Sequence, residues 1–204
     1  MNLGERVSEW AEQNASVKAL VLIGSRARSD VDQVWRADSQ SDWDFQVITS
    51  RPAIFLNADW TNCLGLELQT YALRRASLGG VPKQTAIFKE AEADFVILSS
   101  TTLVLARLAI NIGIHKRSVS LRRRLQDLAV VIRPGWHFLK GKSSWEPFYL
   151  SVVRNVTDAR LDDESVRRLA DGFVCDALWT QRKIERGEFL AAQRAFHRNL
   201  LETN

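Results

Sequence analysis

The chain is predicted to be an α+β protein, with a mixed sheet in residues 1–100 followed by an all-helical domain in residues 101–204. Three observations predict this. Val17 to Ile23 and Phe95 to Leu98 are short apolar runs bounded by turn and polar residues, the pattern of buried strands. Asp42-Trp43-Asp44-Phe45-Gln46-Val47 alternates polar and apolar residues with the period of a half-buried strand. After Ser99 the texture changes to long segments of helical period.

Taken in order, Leu3, Val7, Trp10 and Ala11 recur at helical spacing, which predicts an amphipathic helix ending near Asn14. The strand Val17 to Ile23 then feeds a tight turn at Gly24-Ser25, and Ser29 to Ser41 is a polar loop. A second strand starts at Asp42. Ser50-Arg51-Pro52 is a helix-start signal, with Ser as cap and Pro in the first turn, so a short helix precedes the next strand, Leu66 to Leu73. Gln84 to Phe88 and Phe95 to Leu98, separated by Lys89-Glu90-Ala91-Glu92, read as a hairpin. Helices follow over Thr102 to Ile114 and Leu121 to Val131, then a break at Pro134-Gly135 and a loop at Lys140-Gly141-Lys142. Val166, Leu169, Ala170, Phe173, Val174, Ala177 and Leu178 lie on one helical face and predict a core-facing helix. Gly187 interrupts it, and a last amphipathic helix spans Phe189 to Leu201.

Composition narrows the function classes. Hydrophobic residues make up 46% and charged residues 25%, with 4 Pro and 10 Gly, which excludes collagen-like, mucin-like and wholly disordered chains. Charges interrupt every apolar run before membrane-spanning length, and MNLGERVSEW has no apolar leader region, so a cytoplasmic protein with no membrane partner is expected. Cys63 and Cys175 match no metal-ligand spacing and are expected as reduced, buried thiols; His115, His137 and His197 are expected as surface or capping residues. Residues 1–100 carry a net charge of −3 and residues 101–204 one of +7. Arg122, Arg123 and Arg124 form the one dense basic run, read as a solvated helix face, and no nucleic-acid partner is expected.

The chemistry concentrates in the order strand, Gly-Ser turn, loop, Asp-x-Asp. Residues two apart on a strand share a face, so Asp42 and Asp44 present their carboxylates side by side while Trp43 and Phe45 turn into a core. Carboxylates that close raise each other's pKa unless a cation neutralises them. Oxygen ligands without a neighbouring His or Cys select Mg²⁺ or Mn²⁺, typically shared with substrate phosphates. Gly24 allows backbone to approach a phosphate closely, Ser25 can donate to it, and Arg26 and Arg28 follow directly. Asp94 opens an apolar strand and supplies a third carboxylate, which makes Asp42, Asp44 and Asp94 a candidate metal and catalytic set for phosphoryl or nucleotidyl transfer. Lys140 and Lys142 are candidates to reach a triphosphate across a cleft, against the alternative of a plain solvated loop.

Leu22-Ile23-Gly24-Ser25-Arg26, Ser41-Asp42-Trp43-Asp44-Phe45 and Ala93-Asp94-Phe95 resemble the three active-site motifs of the nucleotidyltransferase superfamily of polymerase-beta type. The nearer resemblance is to aminoglycoside adenylyltransferases of the streptomycin-modifying type, and it extends into the Trp179 helix and Gly187-Glu188-Phe189-Leu190-Ala191-Ala192-Gln193. The resemblance implies a nucleotidyltransferase domain that moves AMP from ATP, a co-substrate, to the hydroxyl of a small molecule, with an aminoglycoside as the suggested acceptor. Gly24 and Ser25 would hold the nucleotide triphosphate, Arg26 a phosphate, and Asp42 and Asp44 the Mg²⁺, with Asp94 either a metal ligand or the base. An aminoglycoside is a polycation, and Asp30, Asp32, Asp38, Glu90 and Glu92 are the residues able to offer it an acidic patch. The helical domain of the resembled family continues further than Asn204, so a truncated or shorter form is expected. Two other functions remain open: transfer to protein or RNA, as in toxin-type nucleotidyltransferases, and nucleotide binding without catalysis.

Overall fold

The computed structural model describes residues 2–28, 37, 41–156 and 163–197. It divides into two compact units, residues 1–158 and 159–204. The first unit opens with α1 (Leu3–Gln13), whose N-terminus is closed reciprocally: Asn2 Oδ1 accepts from the Glu5 amide at 2.9 Å, and Glu5 Oε2 accepts from the Asn2 amide at 2.8 Å. Among the described residues six strands follow: β1 (Val17–Ile23), β2 (Trp43–Thr49), β3 (Leu68–Arg75), β4 (Pro82–Phe88), β5 (Glu92–Ser99) and β6 (His137–Lys140). They form one mixed sheet in the order β3-β4-β5-β2-β1-β6. Among the described strands the central β2–β5 pair is parallel and the other pairs are antiparallel. Between β2 and β3 the chain makes two 3₁₀ helices, Pro52–Phe55 and Asp59–Leu64, where the sequence predicts one short helix.

Strand alternation sorts side chains onto two cores. On one face Val7, Trp10, Phe45, Phe55, Trp60 and Phe95 pack beneath α1 and the 3₁₀ helices. On the other, Ile48, Leu98, Leu128, Phe148 and Tyr149 pack beneath three helices, α2 (Ser100–Asn111), α3 (Val119–Ile132) and α4 (Lys142–Asn155). Each fully buried side chain of this size contributes roughly 1.5–3 kcal/mol. Asp44 and Gln46 of β2, and Asp94 of β5, belong to the second face by the same alternation.

The boundary expected near residue 100 falls inside the first unit, residues 1–158. Besides the shared core, a strand and a hydrogen bond tie the segment after Ser99 to the sheet. β6 pairs with β1, and the Tyr149 hydroxyl donates to Gln46 Oε1 at 2.5 Å, both side chains being fully buried. In place of the loop expected at 140–142, Lys140 ends β6 and Lys142 begins α4. Apolar periodicity alone does not distinguish helices that cover a sheet from helices that form their own domain.

The second unit contains α5 (Asp163–Glu185) and α6 (Phe189–Ala195). The stripe expected to face a core is about half exposed, with Val166, Leu169, Phe173, Val174 and Leu178 between 47% and 53%. Among the described residues of its unit, α5 packs against α6, a helix of seven residues. The part of the last helix expected beyond His197 lies outside the described residues.

Cys63 and Cys175 are exposed, not buried. In the Asp59–Leu64 helix the inward positions are taken by Trp60, Thr61 and Leu64, which leaves Cys63 outside. His115 departs in the other direction: it is buried, and neither ring nitrogen has a hydrogen-bond partner, whereas His137 and His197 are exposed. No helix among the described residues is long and apolar enough to cross a membrane.

Candidate active site

The candidate site lies where β1 ends and β2 and β5 begin. Ile23 pairs with Asp44 across the antiparallel β1–β2 ladder, and Asp44 pairs with Asp94 across the parallel β2–β5 ladder. Asp42 stands one residue before β2. One carboxylate oxygen from each of Asp42, Asp44 and Asp94 lies within 4.8 Å of the others, with Asp42 exposed and the other two half-buried. The three residues that the sequence singles out therefore converge.

Gly24 is built against this cluster. Its backbone has φ +72°, in the left-handed region, and a Cβ placed there would stand 2.2 Å from Asp44 Oδ2. Only glycine lets the turn lie against that carboxylate. Ser25 follows in a short 3₁₀ turn, Ser25–Ala27, and its Oγ is buried with no hydrogen-bond partner. A buried hydroxyl without a partner costs about 1–3 kcal/mol, and an incoming acceptor oxygen would relieve it.

Burial, followed by repulsion from Asp42 and Asp94, pushes the Asp44 carboxyl up to about 6, while Lys83 acts in the opposite direction. A divalent cation on this all-oxygen set would remove that repulsion, so the residues fit Mg²⁺ or Mn²⁺. Asp94 is held from β4. Its Oδ1 accepts from Thr85 Oγ1 at 2.6 Å, and its Oδ2 lies 2.5 Å from Lys83 Nζ. The sequence reading misses Lys83 and Thr85. Their i, i+2 spacing on a strand puts them on one face, but only the register, Thr85 opposite Asp94, brings that face to the site.

Arg26 is committed to the protein itself. Its Nε donates to the Ser41 and Asp42 carbonyls, each at 3.1 Å, and its guanidinium lies 4.3 Å from the centre of the Trp43 ring. It thus pins the approach to β2, and with it Asp42 and Asp44. Trp43 turns to the opposite face and stacks on Phe45, as alternation predicts. Arg28 is exposed just past the turn.

Lys140 does not join the cluster. Its Nζ donates to the carbonyls of Ala11 and, at 3.2 Å, of Asn14. This is the C-terminal end of α1, where a cation is favoured by the helix dipole. Lys140 stands opposite Leu20, midway along β1, and its ammonium reaches back to the carbonyls that precede the strand, whereas Gly24 follows the strand's other end. Lys142 instead pairs with Glu146 at 3.8 Å. Of the acidic patch, Glu90 and Glu92 are exposed, and Asp30, Asp32 and Asp38 lie outside the described residues. No protein-family model matches the chain, and no curated protein matches it significantly.

Proposed function

We propose that the chain is a divalent-metal-dependent nucleotidyltransferase that moves AMP from ATP to a hydroxyl of a small molecule. The observation that carries this reading is the convergence of Asp42, Asp44 and Asp94 beside a turn that only Gly24 permits. Bound Mg²⁺ or Mn²⁺ would offset the triphosphate's charge and favour in-line attack at the α-phosphorus. Asp42 and Asp44 hold the ion; Gly24 opens the backbone to the phosphates, and Ser25 Oγ donates to a phosphate oxygen. Arg26 keeps the aspartate pair in place through the Ser41 and Asp42 carbonyls. Asp94 either completes the metal ligands or takes the proton of the attacking hydroxyl, and the bond to pyrophosphate breaks as the new phosphoester forms. Glu92, exposed and two residues before Asp94 on the same face of β5, adds negative charge beside the site and favours a cationic acceptor such as an aminoglycoside. A cytoplasmic location goes with this reading.

The test is thermal unfolding with Mg²⁺-ATP against ATP in EDTA, followed by pyrophosphate release over a panel of hydroxyl acceptors. A larger rise in Tm with the metal, and release that depends on acceptor, are expected. Equal Tm shifts with and without Mg²⁺ overturn the metal reading. Binding without release under any acceptor, RNA and protein included, makes the chain a nucleotide-binding module.

A further inference from the structure

Asp94 is held more firmly than its two companions. Thr85 stands directly opposite it on β4, and Lys83, two residues earlier on the same face, reaches it diagonally. Each oxygen of Asp94 has a partner on β4, at 2.6 Å from Thr85 and 2.5 Å from Lys83. The Lys83 and Asp94 side chains are only 32% and 13% exposed, so the pair is partly shielded from solvent and salt. No ion pair joins Asp42 or Asp44 to a basic side chain among the described residues.

Charge follows from this arrangement. Three carboxylates with one ammonium leave two negative charges, which one divalent ion balances. A metal ion ligated by Asp94 Oδ2 at the usual distance would stand within about 4–5 Å of the Lys83 ammonium, two cations on one oxygen. We propose that Lys83 is the built-in counter-ion of Asp94 in place of a second metal ion, so that the site takes a single divalent cation, on Asp42 and Asp44. The proposal rests on reading the three carboxylates as a metal site. It makes Lys83 a positioning residue: it fixes Asp94 and sets the number of ions the site holds.

The experiment is titration of the full chain with Mn²⁺ alone, counting bound ions by the loss of the free Mn²⁺ EPR signal. The unsubstituted chain should bind one ion, Lys83→Met two, and Lys83→Arg, which keeps the charge, one. Circular dichroism confirms that each variant is folded. Two ions on the unsubstituted chain overturn the proposal and leave the metal site standing. One ion on folded Lys83→Met overturns it as well, because Asp94 then gains nothing from losing its counter-ion. No bound Mn²⁺ on any of the three proteins overturns the metal site itself, and the proposal with it.

Discussion

Replacing Asp44 with Asn should make the metal-free protein more stable, the reverse of what removing a buried polar partner normally does. Asp44 titrates near 6 in place of its ordinary 3.8 because the folded chain buries it beside two other carboxylates. A shift of about two units corresponds to about 3 kcal/mol at 1.36 kcal/mol per unit. Asp44 remains partly open to water, and screening brings this to about 1–2 kcal/mol. The sign follows from proton counting. Between pH 3.8 and about 6 the folded protein holds a proton that the unfolded chain has released, so this contribution to stability is lost as pH rises through that window. Asn carries none of it. Urea unfolding in EDTA should therefore show Asp44→Asn more stable than the parent by about 1–2 kcal/mol above pH 6, with the difference shrinking toward pH 4. Added Mg²⁺ should then stabilise the parent and leave the variant unchanged. A variant no more stable at neutral pH, or an advantage of the same size at both pH values, would refute the account of Asp44 as a strained carboxylate.

Three other outcomes can be checked by the same unfolding assay. Gly24→Ala places a Cβ 2.2 Å from Asp44 Oδ2 at φ +72°, and should cost about 1–3 kcal/mol and weaken Mn²⁺ binding; an unchanged stability would contradict the close approach. Tyr149→Phe removes the donor to buried Gln46 Oε1 and should cost about 1–3 kcal/mol, with a smaller loss arguing that Gln46 finds another partner. Lys140→Met should lower stability by about 1–2 kcal/mol, because the carbonyls of Ala11 and Asn14 lose a charged donor, and leave the Mg²⁺-ATP shift in Tm intact. Loss of that shift would return Lys140 to the phosphates.

The central strands and the three aspartates were legible because each announces itself locally. Val17 to Ile23 is an uninterrupted apolar run, and polar-apolar alternation from Asp42 fixes which side chains turn inward. Gly24 was legible as a turn, but its reason, a carboxylate 2.2 Å from the absent Cβ, belongs to β2 packing beside β1. Lys83 and Thr85 could not be picked out, since their role depends on which residue of β5 stands opposite, and register is set by the hairpin as a whole. Lys140 was misleading for the opposite reason. A lysine next to glycine suggests a solvated loop, and only the pairing of β6 with β1 carries its ammonium to the end of α1. The apolar stripe of α5 is real as a periodicity, yet periodicity names a face and not what covers it.

The position of β6 bears on how the chain acquires its structure during synthesis. β1, the strand that delivers Gly24 to the carboxylates, is flanked by β2 on one side and β6 on the other. Its second neighbour comes from residues 137–140, more than a hundred residues downstream. Until that segment leaves the ribosome, β1 is an edge with unpaired amides and carbonyls, open to pairing with other chains. At about 5–20 residues per second the delay is several seconds to about twenty. The nascent chain must cross that interval before the sheet closes, and a fragment ending near residue 100 would never leave it.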